Sequence, residues 1–243
     1  MFKPLIKTGV RRLWPARCEP VLVASMGRSG STLVYDSVVA GMARLRFGPL
    51  AEPLRGAVRD TAWSLDTARF HRGRVYKTHD FPHGLGAQSA IRAIFLFGDA
   101  GSAARSVLNC ETTRGRAWIE EHFEHLRASG SIEDVPHADV LRFGEQLDAW
   151  LSFEAVPVLS LRYEDLWADG TEALIGRYVG FPVALPKRKA RESAARDFGD
   201  REAALSATYG PLDERIAALP SVKANAKAQA LLDAARAPGG TAP

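Results

Sequence analysis

Val21-Leu22-Val23-Ala24-Ser25-Met26-Gly27-Arg28-Ser29-Gly30-Ser31-Thr32-Leu33 carries an apolar run through a turn of small residues and into a helical pattern. A strand that turns sharply into a helix leaves the first backbone N–H groups of that helix without intrahelical partners. Those groups, together with the positive end of the helix dipole, favour a phosphate or sulfate. Arg28 adds a permanent charge beside them, and Ser31 and Thr32 add hydroxyl donors.

The loop differs from a Walker A motif at two places: Ser25 stands at the first glycine, and Ser31 follows Gly30 where lysine is required. Its basic residue is Arg28, inside the loop. A strand followed by a Gly-Ser turn also occurs in α/β proteins with no phosphate role, so the loop alone leaves both readings open.

Working outward, apolar runs bounded by breakers predict strands at Val21–Ser25, Val75–Lys77, Ala93–Phe97 and Val156–Leu161. Helical spacing predicts helices at Ser31–Arg46, Ser102–Asn109, Arg114–Ser129, Ala138–Phe153 and Thr171–Val179. The alternation implies a single α/β domain, a doubly wound parallel sheet flanked by helices, with ligands at the carboxyl ends of the strands. Arg28, His79, Asp99 and Tyr163 would all lie there. Residues 1–19 read as a leader, 20–220 as the domain, and 221–243 as a C-terminal helix and tail. The breaker-rich stretch Gly48–Arg74 reads as a long functional or mobile loop. The apolar residues of Ala138–Phe153, Trp150 among them, read as core.

The chain has 243 residues, 46% of them apolar, with 32 basic and 28 acidic residues for a net charge of +4. That is enough for one sizeable core and suits an anionic ligand, without by itself pointing to nucleic acid. Cys18 and Cys110 lack paired spacing, which supports neither a disulfide framework nor a zinc site. The N-terminal stretch is broken by charge and proline before reaching signal or membrane-spanning length. The expectation is a cytoplasmic protein with no stable membrane insertion.

Tyr76-Lys77-Thr78-His79-Asp80-Phe81-Pro82 ends the second predicted strand in a turn. It places His79 to act as a general base on a bound hydroxyl, or as a hydrogen-bonded loop histidine. His71, His83 and His137 show no such placement, and His122 with His125 reads as a solvated helix face.

These segments, with Ile94–Phe97 running into Asp99 and Ser106, and with Arg162-Tyr163-Glu164-Asp165-Leu166, resemble in order and spacing the sulfotransferases that use 3′-phosphoadenosine 5′-phosphosulfate (PAPS). The resemblance spans about residues 20 to 170, roughly two thirds of the chain. It implies the P-loop-containing nucleotide-binding type of fold. Arg28, Ser29, Gly30, Ser31 and Thr32 would form the 5′-phosphosulfate loop, and Arg28 and Lys77 would be catalytic with His79, the base. Ser106 would contact the 3′-phosphate and Tyr163 the adenine, with no metal required. The partners implied are a nucleotide donor and a hydroxyl-bearing acceptor, a carbohydrate or small metabolite, and no nucleic acid.

Gly98 stands where the family has an arginine on the 3′-phosphate, a loss of about 1.5–3 kcal/mol of charge-assisted binding. Arg105, or a basic residue such as Arg188, Lys189 or Arg191, would replace it; otherwise the donor lacks a 3′-phosphate or the protein has lost transfer. The family's glycine-rich basic segment has only Pro186–Arg196 as a counterpart, with charge but no glycines. Two alternatives stand beside sulfotransfer: a P-loop phosphotransferase using ATP and magnesium, and a noncatalytic nucleotide-binding protein. Acceptor-pocket residues are sought in Gly48–Arg74 and Arg114–Phe153, where Trp63, Trp118, Arg114 and Arg116 fit a pocket, the core or the surface equally.

Overall fold

The computed structural model describes residues 18–86, 90–188 and 198–236. The helices and strands are β1 (Val21–Ser25), α1 (Ser31–Phe47), α2 (Ala51–Leu54), β2 (Arg59–Thr61), β3 (Val75–Thr78), β4 (Arg92–Phe97), α3 (Ala100–Arg114), α4 (Arg116–Leu126), α5 (Phe143–Leu151), β5 (Val158–Arg162), α6 (Thr171–Val179), α7 (Arg201–Ala218), β6 (Val222–Ala224) and α8 (Ala226–Ala234).

One six-stranded sheet has the order β2-β3-β1-β4-β5-β6. It is parallel except for β6, which pairs antiparallel to β5 with Leu159 opposite Ala224. Alternation along the central strands divides the core in two. Leu22, Ala24, Ala93, Phe95 and Phe97 face a layer that includes residues of α3, α4, α5 and α7. Val21, Val23, Ile94 and Leu96 face the layer of α1, α6 and α8. A strand buried on both faces has no polar side to show, which is why β1 and β4 read as continuous apolar runs.

β3 and β4 flank β1 on opposite sides. The chain's exits therefore diverge at the carboxyl end of β1, where a crevice opens in sheets of this kind.

Several predicted elements are corrected. Gly48–Arg74 is not a structureless loop: it holds α2 and the edge strand β2, whose Arg59-Asp60-Thr61 has no apolar alternation to announce it. Arg114–Ser129 is not one helix, because Gly115 at φ 83° separates α3 from α4. The helix expected at Ala138–Phe153 is only Phe143–Leu151, with Asp139 accepting the N–H groups of Phe143 and Gly144 at its start. α7 and β6 were not anticipated. β6 adds a strand from beyond residue 220, and Asn225 then caps α8 while donating to the carbonyls of Phe153 and Val156. Residues 1–17 of the expected leader, the end of the expected tail, Lys189 and Arg191 lie outside the described residues.

Candidate functional site

The loop after β1 owes its shape to three left-handed residues. Gly27, Arg28 and Gly30 have φ of 89°, 50° and 77°. For Gly30 the reason is also steric: a Cβ there would stand 2.3 Å from the ring of Tyr163, which lies against it. Gly30 is the residue before α1 and offers no side chain to cap it. Among the described residues the backbone N–H groups of Ser29, Gly30, Ser31 and Thr32 have no acceptor, while Leu33 and Val34 already bond to the Gly30 carbonyl. Four donors thus converge at the helix start.

The side chains around them are ordered by specific bonds. Arg28 donates from Nε to Ser106 Oγ on α3 at 2.9 Å and lies over the Trp118 ring. Lys77, at the end of β3, donates to Thr32 Oγ1 at 2.8 Å. Burial lowers the Lys77 pKa, with Arg28, Arg59 and Arg114 acting in the same direction against Asp36. Ser29, expected in the donor loop, turns inward: its hydroxyl donates to the Gly27 carbonyl, and the residue is buried and does not line the cavity.

His79 follows β3 directly and meets the loop. Its Nδ1 lies 3.2 Å from the Ser25 carbonyl and 3.0 Å from Ser25 Oγ. With the proton on Nδ1 and donated to that carbonyl, Nε2 is the nitrogen left for the cavity, carrying a lone pair. Burial first, and Lys77 second, lower its pKa to about 3, so the imidazole is neutral at physiological pH. Its backbone is clamped from α5: Gln146 donates to the His79 carbonyl and Trp150 to the Asp80 carbonyl. The buried Asp80 carboxylate accepts from Leu65 N, Phe81 N and the Arg127 guanidinium. These bonds hold the turn that carries His79.

One cavity of about 800 Å³ collects these groups. Arg28, Gly30, Ser31, Thr32, Lys77, His79, Ser106 and Tyr163, eight of the residues expected to serve, all line it. Arg105 does not. Its guanidinium is paired with Glu202 of α7 and raised in pKa chiefly by that bond, which leaves it no part as a substitute clamp in this arrangement. Arg188 lies over Trp167, also off the cavity. At Gly98 a Cβ would meet the Glu164 carboxylate at 3.0 Å, so carboxylate occupies the direction an arginine stem would take. The N–H groups that open α3 are taken as well, Ala100 and Gly101 by Asp213 and Ser102 by Asp99. Asp213 is pushed up to about 6, mainly by burial and then by Asp99.

The far end of the cavity corrects the reading of His122 as solvated: it is buried, it lines the cavity, and its Nε2 has no hydrogen-bond partner among the described residues. Trp118, His122 and His125 follow at i, i+4 and i+7 on α4, a helical face legible in the sequence had the tryptophan been counted with the histidines. Trp63 stacks on His125, with ring centroids 4.0 Å apart, and Trp118 on His122 at 4.7 Å. Arg114 lines the cavity, whereas Arg116 is exposed and ion-paired with Glu120 and Glu133. Ser25, in sequence only a departure from a phosphate loop, contacts the His79 ring with both its hydroxyl and its carbonyl.

Cys18 and Cys110 are free thiols, and no described helix is long and apolar enough to cross a membrane. No group of three or more potential metal ligands occurs among the described residues. No protein-family model, curated protein or solved structure matches the chain.

Proposed function

We propose that the protein is a P-loop-type sulfotransferase, moving the sulfuryl group of a PAPS-type donor to a hydroxyl of a carbohydrate or small metabolite. One observation carries the reading: a neutral, rigidly held imidazole lines the same cavity as three residues with unpaired backbone N–H groups, Gly30, Ser31 and Thr32, and the cations Arg28 and Lys77. An anion loop alone serves many ends. A base locked to its first residue serves a reaction at the bound anion.

In that reaction the acceptor hydroxyl gives its proton to His79 Nε2 as its oxygen attacks sulfur. The bond from sulfur to the bridging phosphate oxygen breaks, and the electron pair stays on that oxygen. The N–H groups of Gly30–Thr32, with Arg28 and Lys77, receive the charge that develops there, so the protein contributes positioning and preorganised electrostatics. Thr32 holds Lys77 toward the loop, and Ser106 holds Arg28. Tyr163, packed against Gly30 and lining the cavity, offers its ring to a nucleoside. A cavity of this size is suited to a nucleotide together with a small acceptor.

A second reading, phosphotransfer from ATP with magnesium, is favoured by one feature: Glu164 beside Gly98 and the Arg105–Glu202 pair offer no cation to a 3′-phosphate. Against it, Asp99, the carboxylate after β4, is committed to the Ser102 N–H. Thermal-shift titration separates the two. Stabilisation by adenosine 3′,5′-bisphosphate, about 2.7 kcal/mol at a hundredfold excess over Kd, supports sulfotransfer. Stabilisation by ATP with magnesium alone would replace it with phosphotransfer.

A further inference from the structure

Three rings that line the cavity come from three separate segments, and Trp63 lies between the other two. It stacks on His125 at 4.0 Å with 12° between the planes, and faces His79 at 5.7 Å and 23°. Each segment is tied from behind by a residue one or two positions further along the chain. Leu65 donates its N–H to Asp80 Oδ2 at 2.8 Å, and Phe81 donates to Asp80 Oδ1 at 2.8 Å. Arg127, directly after α4, grips the same carboxylate with a fork, Nε on Oδ1 at 2.6 Å and Nη2 on Oδ2 at 2.8 Å. Each oxygen of the buried Asp80 thus accepts one backbone and one guanidinium N–H, which fills the carboxylate. The Trp63 segment is held closely as well: Ala62 N donates to the Lys77 carbonyl, and a Cβ at Gly84 would collide with Asp66 N.

We propose that Arg127, which does not line the cavity, is a positioning residue for His79: through its two bonds to Asp80 it seats the Trp63–His125 stack against that imidazole. That the ring so held acts as a base rests on the proposed transfer reaction; the coupling of the three rings does not. Removing the guanidinium leaves a buried carboxylate with half its bonds unmet, so water must reach Asp80 and the three segments lose their common anchor. The Trp63 ring then no longer covers His79. Burial is the first cause of the low His79 pKa, ahead of Lys77, His125 and Arg28, and the Ser25 carbonyl acts the other way. Hydration of the imidazole therefore raises its pKa from about 3 toward 6.5. Lysine at position 127 supplies a charge but not a planar fork, so it replaces only part of the contact.

Proton NMR of the full chain, with ring signals assigned through His79→Gln and His125→Gln, reads the stack directly, because an indole face shifts the Cε1–H of a ring lying on it upfield. In Arg127→Ala both signals move downfield toward those of an exposed histidine, while the backbone amides of Gly30, Ser31 and Thr32 keep their native positions. Near pH 5 the same His79 signal shows about tenfold more protonated imidazole than in the native chain, the result of a pKa higher by about 1. Arg127→Lys recovers part of the upfield shift. Asp66→Asn removes only the exposed second partner of Arg127 and leaves both signals in place. Unmoved His79 and His125 signals in Arg127→Ala, an equal effect of Asp66→Asn, or a displacement that reaches the amides of Gly30–Thr32 to the same degree would overturn the inference. The readout involves no nucleotide, so failure of the donor titration would count against sulfotransfer and not against this coupling.

Discussion

Replacing Gly30 by alanine tests the loop geometry at its tightest point. The new Cβ meets Tyr163 Cδ2 at 2.3 Å and Cε2 at 2.5 Å, and the residue must hold φ 77°. The backbone term is about 1–2 kcal/mol for a non-glycine residue in the left-handed region. Driving a methyl into a packed ring adds about 1–3 kcal/mol, since Tyr163 must swing away from the loop and from its edge contact with Trp167. The expected total is about 2–5 kcal/mol. Urea unfolding reads it as a midpoint lower by about 1 M, for an m-value near 3 kcal/mol per M. The two terms separate in a double-mutant cycle with Tyr163→Ala. Truncating the ring relieves the steric term but not the backbone one, so the Gly30 substitution costs only about 1–2 kcal/mol in that background. A loss below about 0.5 kcal/mol in the native background, or strict additivity in the cycle, would refute the packing of Tyr163 on the loop.

Asp80→Ala leaves Leu65 N and Phe81 N without their buried acceptor and costs about 2–4 kcal/mol by chemical denaturation, discounted because Arg127 is partly exposed; a loss under 1 kcal/mol would mean the turn is held otherwise. Burial lowers His79 from 6.5 to about 3, so between those values the unfolded state binds the extra proton and stability falls as pH drops through that window. His79→Gln therefore flattens unfolding free energy against pH there, and an unchanged slope would count against the buried neutral imidazole. Arg105→Ala leaves the Kd for adenosine 3′,5′-bisphosphate within about twofold, because its guanidinium is spent on Glu202; a tenfold loss would return Arg105 to the donor site.

What the sequence made legible was what periodicity and loop chemistry encode. β1 and β4 are apolar runs, α1 follows β1 through a glycine turn, and β3 is a short run ended by a turn; the site residues at their ends follow from the topology of a parallel sheet. β2 was hidden because it is a three-residue polar edge, stabilised by pairing with β3 rather than by its own pattern. β6 escaped similarly, as an exposed strand joined to β5 at the sheet's other edge. The site shows the same division. Arg28, Lys77 and His79 belong to local motifs and were found. His122 depends on Trp118, one turn earlier on its helix, and His125 on Trp63, far away in the chain, so the spacing between the histidines alone points to solvent instead. Arg105 stands near Gly98 in sequence, but its pairing with Glu202, 97 positions on, has no local signature.

The central claim, that His79 and the anion loop act on one reacting group, is tested most directly by turnover. Formation of adenosine 3′,5′-bisphosphate from PAPS would be followed with a set of hydroxyl acceptors, for the native chain and for His79→Ala. The account predicts that the variant binds the bisphosphate as the native chain does but turns over at least a hundredfold more slowly, the scale of general-base catalysis at about 10²–10⁴. Equal turnover by both would contradict it.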